Sequence, residues 1–357
     1  MSADGARGDR LVELLREREL DCLLVTDLVN VRYLTGFTGT NGACVVTSQE
    51  RLFLTDFRYV EQAAGQVRGF EALPAGRDLA ADLAIRLRGR AGFDDAGLSV
   101  RTHAKLLEKV GAGVELVAAG GLVERLRRVK DRAELAAIAA ASQLATAALE
   151  RVLERGVAGR TERTVALELE SEMRLAGAQD PSFPSIVAAG AHGALPHAVP
   201  REAEIPRDTL VVIDWGARLG GYCSDCTRTV ATGDLSGSAL EAYELVRHAQ
   251  EQALCAVRAG AGCRAVDAVA RDLIEQAGHG EHFGHGLGHG VGLEVHEEPR
   301  LTKQADDGEL AAGNVVSVEP GVYLPGELGV RIEDLVAVTT EGADVFTSFP
   351  KTLVTVD

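Results

Sequence analysis

Apolar and polar positions along this chain change period repeatedly, and those changes outline its elements. In the first 125 residues, stretches with helical spacing trade places with short β-branched runs. Arg10–Glu19 and Asp78–Arg88 read as helices, and Cys22–Thr26 and Val114–Val117 as strands. Ala43–Thr47 and Arg51–Thr55 read as paired strands around Ser48-Gln49-Glu50. Alternating elements of this kind predict an α/β domain over residues 1–125. Asp131–Arg155 is rich in alanine and leucine and lacks Gly and Pro, so it predicts one long helix that stops at Gly156 and opens a second domain, 126–357. A further helix runs from about Thr161 to Leu175, ended by Gly177. Pro181, Pro184, Pro196, Pro200 and Pro206 then impose extended and turn segments. Val211–Val230 reads as a β-hairpin turning through Gly216, Gly220 and Gly221. Ser238-Ala-Leu-Glu241 has the form of a capping box and predicts a helix to about Ala259, with Gly260 as its stop. Ala265–Ala277 is again helical, and Asn314–Val318 and Val330–Thr339 are strands.

Composition narrows the class. The length of 357 residues exceeds one ordinary core, so two domains are expected. A net charge of −16 argues against nucleic acid and anionic membranes as partners. The first ten residues contain no apolar core of a secretory signal, and no apolar run is long enough to span a bilayer. The six cysteines are scattered rather than clustered. A cytoplasmic protein with reduced thiols is the expectation.

Chemistry enters where acids stand in strands built for burial. Asp214 closes the apolar run Val211-Val-Ile213, Asp225 lies on the returning strand, Glu319 ends Val315–Val318, and Glu333 precedes Leu335–Val338. A carboxylate in such a position is costly unless a cation neutralises it. For any one of them a structural reading suffices: a turn cap for Asp214 or Asp225, an ion pair with Arg331 for Glu333, which shares its strand face. Together they need a shared partner. Between them falls the segment His282–Glu297, with His285, His289 and His296 among glycines that allow close backbone approach. It does not follow a strand and open a helix, as a nucleotide-binding loop would. Asp214, Asp225, His289, Glu319 and Glu333 form a hard, oxygen-rich donor set. It suits two ions of the Mn²⁺, Co²⁺ or Zn²⁺ type, roughly 3.5–4 Å apart, sharing carboxylates. Cys223-Ser-Asp-Cys226 offers a competing CxxC, but no second such pair exists. On a strand its two sulfurs would point to opposite faces.

These residues, in this order, resemble the five metal ligands of the pita-bread metallopeptidases, the family of methionine aminopeptidase, aminopeptidase P, prolidase and creatinase. The resemblance covers the whole second domain. It implies an α+β protein: a creatinase-like N-terminal α/β domain, then a pita-bread catalytic domain of antiparallel sheet and flanking helices. Tyr33–Gly42 and Thr55–Tyr59 look more like aminopeptidase P than prolidase. Further implications follow from the resemblance. The activity is hydrolysis of the Xaa-Pro bond to release an N-terminal residue, with prolidase as the alternative. The metal is manganese before cobalt or zinc, and the protein is a homodimer acting on proline-containing peptides. Asp214 and Asp225 hold one ion, His289 and Glu319 the other, and Asp225 and Glu333 bridge them. Glu319 accepts the proton of the attacking water. His285 and His296 stabilise the intermediate or protonate the leaving nitrogen, and His197, His285 and Arg331 contact substrate. A non-catalytic peptide-binding module and a creatinase-like hydrolase stand as further alternatives, opposed by the intact ligand set.

Overall fold

The computed structural model describes residues 3–306 and 308–356. Contacts divide the chain into two units between Arg127 and Arg128.

In the first unit a six-stranded mixed sheet runs Glu71–Pro74, Arg51–Thr55, Ala43–Thr47, Cys22–Val25, Arg90–Phe93, Glu115–Ala118. Ala43–Thr47 pairs antiparallel with both Arg51–Thr55 and Cys22–Val25, and the other three pairings are parallel. The expected pair around Ser48-Gln49-Glu50 is formed, closed by the Thr47 N–H on Glu50 O. Helix Ala3–Glu17 begins well before Arg10, and the helix expected over Asp78–Arg88 is confined to Ala80–Ala84. The two motif segments pack together: Asn41 Nδ2 donates to Asp56 Oδ2 (2.5 Å), and Thr55 Oγ1 donates to Asn41 O (2.6 Å).

The second unit consists of two helix pairs, each laid on an antiparallel sheet. Helices Arg132–Leu153 and Glu162–Leu175 cover the sheet Ile186–Ala189, Leu210–Trp215, Cys226–Ala231. Their core includes Leu149, Val165, Ile213 and Trp215, and the Trp215 indole N–H donates to Ala145 O (2.8 Å). The long helix starts as its sequence directs, in a capping box between Asp131 and Glu134. Helices Gly237–Ala256 and Cys263–Gln276 cover the sheet Glu297–Leu301, Gly288–Gly290, Val315–Val318, Asp334–Val338, Ala343–Val345. Val246, Ile274, Val316 and Val336 fill that core. Hairpin Gly321–Leu324/Leu328–Arg331 is inserted in sequence between Val315–Val318 and Asp334–Val338, two paired strands of this second sheet.

Two expectations are corrected. The helix cap is Ser236, whose hydroxyl accepts from Ala239 N–H (3.3 Å); Ser238 lies in the first turn. Either serine offers the same acceptor, so sequence alone did not separate them. That helix ends at Ala256, because Val257 is already extended. The Val211–Val230 hairpin is also interrupted. Leu210–Trp215 pairs with Cys226–Ala231, but Ala217–Leu219 and Tyr222–Cys223 leave to form a separate small sheet with Asp180–Pro181. Asp225 sits at that joint, outside a regular strand. Among the described residues, no helix is long and apolar enough to cross a membrane.

Candidate active site

Cross-strand register delivers the acids. Asp214 stands opposite Thr227 in the antiparallel pair. Side chains alternate along a strand, so Thr227 and Thr229 share one face and turn to the strand that carries Arg331. The Thr229 hydroxyl donates to Arg331 O (3.0 Å), and Arg331 Nε donates to the Thr227 hydroxyl (3.0 Å). The Thr227 hydroxyl in turn donates to Glu333 Oε2 (2.8 Å). Ligand-capable atoms of Asp214, Asp225 and Glu333 all lie within 4.8 Å of one another.

On the other side, Gly288–Gly290 places His289. A Cβ on Gly288 would stand 2.0 Å from Ser317 O, so this strand must be bare of side chain to meet its neighbour. The glycine there therefore serves strand contact rather than approach to a ligand. The Ser317 hydroxyl accepts from His289 N–H and donates to Glu319 Oε1, both at 3.0 Å. His289 Nδ1 lies 3.1 Å from Gly290 O, which requires the hydrogen on Nδ1. Its Nε2 faces Glu319 Oε1 (3.2 Å) and Asp225 Oδ2 (3.6 Å): it donates to them while the ring is protonated and offers a lone pair to a cation once it is not. All five expected ligands thus meet around one space.

The electrostatics ask for positive charge in that space. Asp214 Oδ1 and Glu333 Oε1 are buried without a hydrogen-bond partner among the described residues. Burial, then Glu333 and Asp214, push the Asp225 carboxyl well above its ordinary range. Burial, then Glu319 and Asp214, do the same to Glu333. Burial also raises Asp214, against the pull of Arg331. Burial opposes ionisation of Glu319 too, but the hydrogen bond and charge of His289, then His285, outweigh it and bring that carboxyl down to about 2. An imidazole nitrogen turned to the same space as orphaned carboxylate oxygens fits a hard divalent cation by donor chemistry.

Arg331 is buried against Asp214, with Nη2 donating to Oδ2 at 2.7 Å. The pairing expected with Glu333 is not made, because the strand ends at Arg331 and Glu333 falls outside regular alternation. Arg331 Nη1 also donates to the Tyr323 hydroxyl (2.8 Å), which lies 2.9 Å from His285 Nε2. The His285 Nδ1 hydrogen is directed at Gly286 O (2.8 Å), so Tyr323 is the donor to Nε2. His285 is held through both nitrogens. His296 is exposed, with its ring centroid 4.3 Å from that of His289. Loss of water around it, then His289, lowers its imidazole to about 4. His197 is exposed and lines the cavity as well. The cavity, of about 570 Å³, is lined by these groups together with Phe183, Val199, Val295 and Arg300. The cysteines take no part in it: Cys223 Sγ points to Leu293 O and Cys226 Sγ to Glu333 O.

Thr227, Ser317 and Tyr323 were not singled out by sequence reasoning. Their hydroxyls look like ordinary strand residues until partners from distant elements arrive. Thr227 carried the one readable signal, a polar side chain alternating within the strand that follows Asp225.

An antiparallel two-sheet fold gathering four acids and a histidine into an open cavity defines a metallopeptidase of the pita-bread class. Residues 136–340 match metallopeptidase family M24, and residues 7–129 match the creatinase/prolidase N-terminal domain. A Bacillus subtilis protein described as an uncharacterized peptidase is 40% identical over 350 residues, 97% of this chain and 99% of its own. The solved Xaa-Pro dipeptidase from Bacillus anthracis is 39% identical with a TM-score of 0.95, over 99% of this chain and 100% of that one. The X-Pro aminopeptidase from Thermotoga maritima is 33% identical with a TM-score of 0.88, over 98% and 100%. The chain belongs to metallopeptidase family M24.

Proposed function

We propose that this chain hydrolyses Xaa-Pro peptide bonds with two divalent cations, Mn²⁺ by preference, and releases the N-terminal residue from peptides with proline second. The observation that carries this reading is the convergence of Asp214, Asp225, His289, Glu319 and Glu333, with carboxylate oxygens left unpartnered, on a cavity open to peptide. Asp214 and Asp225 would hold one ion, His289 and Glu319 the other, with Asp225 and Glu333 shared. Such ions supply Lewis acidity toward the scissile carbonyl and lower the pKa of water.

The chain's own groups do the rest. Glu319 accepts the proton of the attacking water and passes it to the departing proline nitrogen. His296, neutral at pH 7, donates an N–H to the oxygen that gains charge in the tetrahedral state. Tyr323 keeps His285 turned toward the cavity, while His197 holds the substrate from the cavity wall. Arg331 neutralises Asp214 and steadies the Tyr323 hydroxyl.

A dipeptidase is the second reading, favoured by Arg300. Its guanidinium lines the cavity, half exposed, and its nearest acid, Glu298, is 4.0 Å away. It is available to a free C-terminal carboxylate. Incubation with Ala-Pro and with Ala-Pro-Ala in the presence of Mn²⁺ tests both readings. Cleavage of the tripeptide supports the aminopeptidase; cleavage of Ala-Pro alone supports the dipeptidase. Turnover of neither contradicts both and leaves a peptide-binding module.

A further inference from the structure

Behind the cavity wall lies another buried carboxylate, which does not line the cavity itself. Glu162 opens helix Glu162–Leu175 directly after its cap, Thr161. Its side chain is 1% exposed. It accepts from Ala189 N–H (3.0 Å), Arg201 N–H (3.0 Å), and Arg201 Nε and Nη2 (both 3.1 Å). His192 Nδ1 lies 2.9 Å from its Oε2. These partners occupy both ends of the segment 189–201, and the middle of that segment, Pro196 to Pro200 with His197, forms part of the cavity wall.

The same segment is held from the cavity side. Arg331 Nη1 donates to Pro196 O (3.2 Å). A Cβ on Gly329 would stand 1.8 Å from Gly193 O, so the segment's backbone rests directly on the strand that ends in Arg331. An ionised carboxylate receiving charge-assisted hydrogen bonds from both ends of a loop restricts that loop strongly. Its removal leaves buried donors unsatisfied.

We propose that Glu162 is a positioning residue for substrate: its carboxylate clamps the His197-bearing segment, and this sets the affinity for the prolyl peptide. The inference rests on reading the cavity as the peptide site. Glu162→Gln preserves shape but sets an amide N–H₂ against these donors. The expected result with the cleaved peptide is a rise in KM of about tenfold with kcat within about twofold. Bound Mn²⁺ stays as in the wild type, and amide hydrogen exchange over 189–201 quickens. Arg201→Met, which alters a half-exposed side chain, moves KM in the same direction by less, and it carries the test alone should Glu162→Gln fail to fold. A merely structural role would lower thermal stability and kcat and leave KM unmoved. Wild-type KM in both variants overturns the proposal. If the Mn²⁺-loaded wild type cleaves neither peptide, the peptidase reading fails instead. Exchange then decides: quicker exchange supports the clamp and unchanged exchange overturns it.

Discussion

Glu333 and Asp334 are neighbours, each 1% exposed, and their surroundings are opposite. Asp334 is closed on every side. Its Oδ1 accepts from Arg228 Nη2 (2.9 Å) and the Thr347 hydroxyl (2.7 Å); its Oδ2 accepts from Gln250 Nε2 (3.0 Å) and Lys351 Nζ (2.7 Å). Burial opposes its ionisation, but Arg228 and Lys351 outweigh burial and hold its carboxyl below the usual range. Glu333 has one hydroxyl on one oxygen and nothing on the other among the described residues. Burial and the neighbouring acids drive its carboxyl upward. Alternation along the partner strand explains the split. From one face of that strand Thr227 reaches Glu333, and from the other Arg228 reaches Asp334. A buried acid matched from within the chain supports the fold. One left unmatched supports binding of a cation from outside.

The largest expected effect concerns the open acid. Glu333→Gln should lower peptidase turnover on the order of 10³-fold, measured with saturating Mn²⁺. Turnover within a few-fold of wild type would remove Glu333 from the site. Stability should sort the two residues the other way round. Asp334→Ala strands the Arg228 guanidinium in the interior and should cost about 3–5 kcal/mol in denaturant unfolding. Glu333→Gln should leave metal-free stability equal to or above wild type, since it removes one of several crowded acids. Equal losses from both would break the comparison.

The contrast also has a pH signature. The folded-state pKa of Asp334 lies below its unfolded value, so its contribution is complete above about pH 4 and fades as pH falls through the lowered value. Unfolding measured across this acid range should show a shallower loss of stability in Asp334→Asn than in the wild type. The smallest effect is at the bridge. Thr227→Val keeps the shape but removes the hydroxyl between Arg331 and Glu333, at about 1 kcal/mol of stability and roughly tenfold in metal affinity. Unchanged Mn²⁺ affinity would show the hydroxyl to be idle.

The open acids could be read in the chain because each ends or precedes a β-branched run, where a carboxylate contradicts its context. The outer strands of the hairpin were readable for the same reason. Its joint was not, because Asp225 leaves the strand through contacts that only form when Ala217 and Ser224 meet: Ser224 N–H on Ala217 O (2.9 Å) and Ala217 N–H on Ser224 Oγ (2.9 Å). Short strands such as Gly288–Gly290 and Glu297–Leu301 carry glycine or proline instead of a β pattern, and they exist through pairing with each other. Arg331 was placed near Glu333 by spacing, whereas its actual partner, Asp214, is 117 positions away. Glu162 carries no signal in the sequence, since an acid in a first helical turn is ordinary. What reasoning from sequence misses here is the partner supplied by a remote element.

The claim beneath all of this is that the cavity acids are paired by cations that the chain does not itself provide. Titration calorimetry of metal-free protein with Mn²⁺, run on wild type and Glu333→Gln, addresses it directly. The account predicts saturable binding by the wild type and its loss or severe weakening in the variant, with the fold intact by circular dichroism. No binding by the wild type, or equal binding by both, would contradict it.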